Sequence, residues 1–137
     1  MERLLSVTIQ RCVACGKCEL ACPFAHGTGG VPGTSRIHVV RTGPERGVPV
    51  TCFQCHDAAC IAACPVAALS RCPDTGAIAL LSDRCIRCGM CVAACPFGNM
   101  VRDESAPGVA KCDLCAGAPR CVPFCATRAI EYLATGC

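Results

Sequence analysis

The sequence predicts an α+β protein of short strands and short helices whose thin apolar core is held together by cysteines. Three observations predict it. Of the 137 residues 18 are cysteines, and sixteen of these fall into four blocks of four. The text between the blocks reads as short β-rich stretches bounded by Gly, Pro and Asp, while the last two cysteines of every block stand four apart, as on one helical turn. Leu, Ile, Val and Phe together number only 30, with one Tyr and no Trp. So little apolar material calls for staples, and bound metal supplies folding free energy directly.

The elements follow in order. "SVTIQ" at 6–10 reads as a strand leading into block one, which is Cys12, Cys15, Cys18 and Cys22, then Pro23. A Gly/Pro loop, "HGTGGVPGTS", separates it from a second strand, "RIHVV" at 36–40. Block two is Cys52, Cys55, Cys60 and Cys64, then Pro65. "GAIALL" at 76–81 is a third strand and opens onto block three, Cys85, Cys88, Cys91 and Cys95, then Pro96. The stretch "RDESAPG" at 102–108 has linker composition. Block four is Cys112, Cys115, Cys121 and Cys125, and "AIEYL" at 129–133 is a last strand. Cys72 and Cys137 stand outside the blocks.

The cysteines read as metal ligands rather than disulfides. The start, "MERLLSVTIQRC", lacks the apolar core of a signal peptide and a twin-arginine pair, and no run approaches the roughly 18 apolar residues of a membrane helix. A cytoplasmic setting is expected, export with a signal-bearing partner aside, and dense cysteines in a reducing compartment bind metal. The formal charge of +3 counts each cysteine as neutral. Four oxidised clusters of about −2 each would carry the chain to about −5, so its basic character is no sign of nucleic-acid binding.

The spacing suits iron–sulfur chemistry. Two residues between cysteines let a tight loop wrap one corner of a small centre, and three such thiolates converge. Gly16 and Gly89 follow the second cysteine in blocks one and three, where positive φ and close backbone approach favour glycine. His56 and Ala116 stand there in blocks two and four, whose loops are longer. The four-residue step from third to fourth cysteine places both on one helical face, and a following proline suits a helix end. A turn with a thiolate at each end can serve two clusters, as in the bacterial C-x2-C-x2-C-x3-C-P run. Zinc sites favour two C-x2-C pairs a dozen or more residues apart, which fits these triads less well.

From residue 6 to about 133 the chain resembles the four-cluster ferredoxin-like electron-transfer subunits that accompany molybdenum- or tungsten-pterin oxidoreductases, hydrogenases and nickel carbon monoxide dehydrogenases. "CFQCHDAACIAACP" and "KCDLCAGAPRCVPFC", with Lys111, Asp113, Leu114 and Pro119, carry the likeness. Ala126 departs from it, standing where the family has proline, which is not a ligand. The resemblance implies two nested bacterial-ferredoxin-like units around four 4Fe–4S clusters. The outer unit is 1–48 plus 106–137 (blocks one and four), and the inserted unit is 49–105 (blocks two and three). It also implies crossover ligation. Cys12, Cys15 and Cys18 join Cys125. Cys112, Cys115 and Cys121 join Cys22. Cys52, Cys55 and Cys60 join Cys95, while Cys85, Cys88 and Cys91 join Cys64.

Other residues read more plainly. Cys72 lacks a triad and reads as a free thiol, as does Cys137 at the end of the sequence. His56 shapes its loop, since four cysteines already fill that site, and His26 and His38 read as surface residues. Lys17, Arg84, Arg87 and Lys111 flank ligands. Their charge either raises a cluster potential or simply meets solvent or a partner. No nucleophile–base pair and no phosphate loop stands out, so no catalytic residue is assigned. The expected role is electron relay to a catalytic subunit. A freely diffusing polyferredoxin, a wire assembled from copies of the chain, and a maturation or structural protein with idle clusters are the alternatives.

Overall fold

A computed structural model describes residues 3–27, 29–103 and 108–134. The elements run β1 (Arg3–Val7), a 3-10 turn (Ile9–Arg11), α1 (Lys17–Ala25), β2 (His38–Gly43), β3 (Arg46–Val50), α2 (Ala59–Ala63), β4 (Leu69–Arg71) and β5 (Ile78–Leu80). They continue with α3 (Met90–Ala94), β6 (Met100–Arg102), β7 (Val109–Lys111), a 3-10 segment (Leu114–Gly117), α4 (Cys121–Phe124) and β8 (Ile130–Ala134). Short strands and short helices alternate, the mixed class expected from the sequence.

The strands form four antiparallel pairs: β1 with β8, β2 with β3, β4 with β5, and β6 with β7. The first pair joins the two ends of the described chain, from Arg3 opposite Ala134 to Val7 opposite Ile130. The helices pair in the same sense, α1 against α4 and α2 against α3. The core has two parts. Leu5, Ile37, Leu114 and Ile130 pack with Cys18, Cys22 and Cys121. Leu69, Ile78, Met100 and Val109 pack with Cys91. Burying Ile78, Leu114 or Ile130, the largest fully buried side chains, contributes roughly 1.5–3 kcal/mol each. With so few such residues the cysteines are themselves core.

Several elements differ from the sequence reading. The strand expected at 6–10 begins earlier and ends at Val7, because Thr8 N–H turns to Ala129 O (2.8 Å) and Arg11 N–H closes a 3-10 turn on Thr8 O. The second strand lies at 38–43 rather than 36–40 and forms a hairpin with β3, so the 48/49 unit boundary falls within a strand. Strands β4, β6 and β7, three residues each, are too short to show a period of two. The expected linker at 102–108 connects the β6–β7 hairpin, with Asp103 N–H donating to Gly108 O at 3.1 Å. Residues 104–107, and with them the 105/106 boundary, lie outside the described residues, as does Cys137.

Each third-to-fourth cysteine step is a helical turn, with Cys64, Cys95 and Cys125 as the C-terminal caps of α2, α3 and α4. Pro23 is the exception to proline as a helix end. It lies inside α1, which closes only when His26 N–H reaches the carbonyls of Cys22 and Pro23. No described helix is long and apolar enough to cross a membrane.

Candidate metal centres

The ligand loops are built on backbone conformations that side-chain-bearing residues rarely adopt. In the first C-x2-C pair of every block the second intervening residue has positive φ: Ala14 (57°), Gln54 (50°), Arg87 (60°) and Leu114 (57°). Gly16 and Gly89, both at 76°, follow in blocks one and three, as their residue type foretells. Such left-handed steps turn successive backbone N–H groups into one concavity, an anion-binding nest. The carbonyls then point outward, and arginines collect them. Arg41 of β2 donates to Ala14 O (2.7 Å). Arg71 of β4 donates to Cys55 O and to Gly76 O (2.8 Å), and Arg36 donates to Lys111 O (2.9 Å). Arg102 of β6 lies against Gly89.

Four small cavities of about 20–30 Å³ each are lined by cysteines. Cys12, Cys15, Cys18 and Cys125 line the first, and Cys52, Cys55, Cys60 and Cys95 the second. Cys64, Cys85, Cys88 and Cys91 line the third, and Cys22, Cys112, Cys115 and Cys121 the fourth. Each contains the first three cysteines of one block and the last of another. Cys72 lines none of them.

The fourth cysteines are held by backbone donors. Ala68 N–H donates to Cys64 Sγ and Ala129 N–H to Cys125 Sγ, each at 3.2 Å, across turns whose third residue has positive φ (Ala67 at 53°, Arg128 at 56°). Gly98, at 68°, occupies the same place after Cys95. Arg36 N–H donates to Cys22 Sγ at 3.2 Å.

The donor set fits a compact cube of iron and sulfide. Among the described residues, the buried side-chain atoms without a partner are Arg36 Nε, Thr51 Oγ1 and both polar atoms of Asn99. Arg36 and Thr51 line the fourth cavity and Asn99 the second, where a sulfur-rich group would accept from Arg36 Nε, Thr51 Oγ1 and Asn99 Nδ2. The thiols themselves call for a cation. Burial pushes Cys18 and Cys112 up to about 11 each, and burial with the charge of neighbouring cysteines pushes Cys121 up to about 12. A bound cationic core would offset that burial and favour the thiolate form of all four sulfurs.

Lys111 and His26 also face these sites. Lys111 is 3% exposed, and its Nζ donates to Cys52 Sγ (3.2 Å), Gln54 Oε1 (3.1 Å) and Cys112 O (2.8 Å). His26, read from sequence as a surface residue, is half-buried. Its Nε2 lies 3.4 Å from Asp113 Oδ1, and its Nδ1 donates to Cys22 O at 3.0 Å. Hydrogen bonding to Asp113, then to Cys115 and Cys22, pushes the imidazole up to about 12. Lys17, Arg84, Arg87, His38 and His56 are exposed. The sequence reading missed the loop-bracing arginines. Their signal is an arginine in or just before the strand that follows each of the first three helices.

This fold and these sulfur sets define a protein that binds cysteine-ligated metal clusters. Residues 46–134 match the 4Fe-4S dicluster domain and residues 9–28 a 4Fe-4S binding domain. The chain belongs to the 4Fe-4S dicluster family and is an iron–sulfur protein. It is 43% identical over 126 residues to the aliphatic sulfonate oxidoreductase, polyferredoxin-like subunit, of Pyrococcus furiosus, covering 90% of this chain and 72% of that one. It is 34% identical over 156 residues to the electron transport protein HydN of Escherichia coli, covering 95% and 87%. Among solved structures it resembles the active site complex BamBC of benzoyl coenzyme A reductase in complex with zinc. That match has a TM-score of 0.55 and 25% identity, and covers 96% of this chain and 77% of that one.

Proposed function

We propose that the chain is an electron-transfer subunit carrying four 4Fe–4S clusters, relaying electrons between a catalytic oxidoreductase subunit and a separate donor or acceptor. Catalysis belongs to the partner, of the molybdenum- or tungsten-pterin, nickel carbon monoxide dehydrogenase or hydrogenase type. The ligand sets are Cys12, Cys15, Cys18 and Cys125; Cys112, Cys115, Cys121 and Cys22; Cys52, Cys55, Cys60 and Cys95; and Cys85, Cys88, Cys91 and Cys64. The outer ferredoxin-like unit is 1–48 plus 106–137 and the inserted one 49–105. Pairing of β1 with β8 and α1 with α4 around α2 and α3 supports that nesting. A reducing compartment such as the cytoplasm suits a chain of this cysteine content.

One observation carries the relay reading: the cavities follow one another in a line with exposed ends. The first and fourth share the core of Leu5, Leu114 and Ile130, and the second and third share that of Leu69 and Ile78. Lys111 and Gln54 join the two halves at Cys52 and Cys112. Among the seventeen described cysteines only Cys15 and Cys88 are exposed, one in the first cavity and one in the third. The most exposed ligand cysteines thus lie at the two ends of the line. When bound, such clusters accept and release single electrons. The chain's residues fix them, exclude water and set each potential through N–H donors and nearby charge.

The name of the Pyrococcus furiosus relative, a subunit of an oxidoreductase, supports a catalytic partner. The test is anaerobic. The reduced complex is mixed with the substrate of whichever oxidoreductase copurifies at a fixed ratio. Reoxidation of the clusters within the partner's turnover time supports the relay. Clusters that stay reduced overturn it.

A further inference from the structure

We propose, on the ligand sets just given, that Lys111 raises the potential of the cluster held by Cys52, Cys55, Cys60 and Cys95, making it the point in the relay where an electron comes to rest. Lys111 Nζ is 3.2 Å from Cys52 Sγ, and the side chain lines the same cavity. Its other two partners, Gln54 Oε1 and Cys112 O, are neutral acceptors. Among the described residues no carboxylate lies within ion-pair distance of it. A buried ammonium with no counter-anion is balanced only by the sulfurs in front of it, and that balance improves with each electron added to the cluster.

The contrast with the fourth cavity sharpens this. There two cations, His26 and Arg36, share one carboxylate, Asp113, at 3.4 Å and 3.8 Å, whereas Lys111 has no carboxylate partner among the described residues. The second cavity has further donors as well. Gln54 N–H points at Cys52 Sγ (3.4 Å), and the unpartnered Asn99 amide lines the cavity wall. Hydrogen bonds to sulfur and nearby positive charge both favour the reduced form of an iron–sulfur centre, and in the second cavity they act together against burial, which disfavours the added negative charge.

Gln54 and Lys111 are also the seam between the two halves of the line, since Gln54 Nε2 donates to Cys112 O at 2.8 Å. An electron arriving from either end therefore meets this charge at mid-chain. The step moves one electron from a reduced neighbouring cluster, which is oxidised, to the Cys52 cluster, which is reduced. The step as written moves no proton.

The test is an EPR-monitored redox titration of the holo-protein with four variants. Lys111→Met is expected to keep the wild-type iron content and to weaken reduction of one cluster tenfold or more, a fall of about 59 mV or more for one electron. The midpoint of the Cys112 cluster, whose ligand loop Lys111 also touches, falls by less, the other two stay in place, and Lys111→Arg restores most of the shift. Unmoved midpoints at full iron content, or four midpoints moving together, overturn the proposal and leave the relay standing. Should Lys111→Met lose iron, the ligand variants decide. Cys60→Ser is expected to alter the EPR signature of the first cluster to be reduced, and Cys121→Ser to leave that signature alone. If another cluster takes the first electron, the proposal fails. A wild-type iron content below four clusters overturns the relay reading itself.

Discussion

His26 Nε2 stands 3.4 Å from Asp113 Oδ1, and that contact ties the end of α1 to the ligand loop of block four. Residues 87 positions apart are thereby held beside the Cys22 and Cys115 sulfurs of one cavity. The same contact holds the Asp113 carboxyl below its ordinary range.

The stability this contact adds depends on pH. His26 is raised from 6.5 to about 12, so its contribution is complete below about 6.5 and fades as pH climbs toward 12. His26→Ala is therefore expected to cost more at pH 6 than at pH 9. The guanidinium midpoint for loss of the cluster absorbance, taken at both values, measures it. An equal cost at the two pH values contradicts the assignment.

Cys64→Ser distinguishes crossover ligation from one cluster per block. Cys64 lines the cavity of Cys85, Cys88 and Cys91, not that of Cys52. The variant is expected to change the spectroscopic signature of the same cluster that Cys88→Ser changes. A shared signature with Cys55→Ser instead would reject the crossover.

The strained turn after Cys64 offers a stabilising substitution. Ala67 is exposed at φ 53°, where a side chain costs about 1–2 kcal/mol. Glycine removes that strain and adds back about 0.5–1 kcal/mol of chain entropy. Ala67→Gly is expected to stabilise by up to about 1 kcal/mol. Ala62→Gly, exposed within α2, is expected to destabilise by about 1 kcal/mol. Denaturation of the holo-protein compares the two, and the same sign for both would count against the turn's geometry.

Metal removal should unfold the chain. About sixteen irons per chain are expected from four cubes, and chelation should abolish the far-ultraviolet circular dichroism as the clusters bleach. Cys72→Ser is expected to leave iron content unchanged, since Cys72 lines no cavity among the four. Persistent secondary structure in the bleached protein would show that the apolar core suffices alone.

The sequence made some of this legible and hid the rest for physical reasons. Cysteine spacing announces the helical turns, because a four-residue step is a local property. Gly16 and Gly89 announce positive φ, because glycine is the residue type that favours it. Ala14, Gln54, Arg87 and Leu114 adopt the same region unannounced, since there the loop's tertiary setting overrides local preference. The burial of Lys111 and of His26 was hidden for a related reason. Burial of a charged side chain depends on partners far along the chain, Cys52 and Gln54 for one and Asp113 for the other.

The packing of α1 on α4 and of α2 on α3 has a consequence for assembly under iron limitation. With each helix carrying one sulfur for each of two neighbouring cavities, filling one cavity fixes a wall of its neighbour. Occupancy then proceeds by twos. In iron-starved cells the population divides into empty, two-cluster and four-cluster chains, and native mass spectrometry should find the odd-numbered species scarce. Shortage thus lowers the number of complete carriers rather than thinning every one of them.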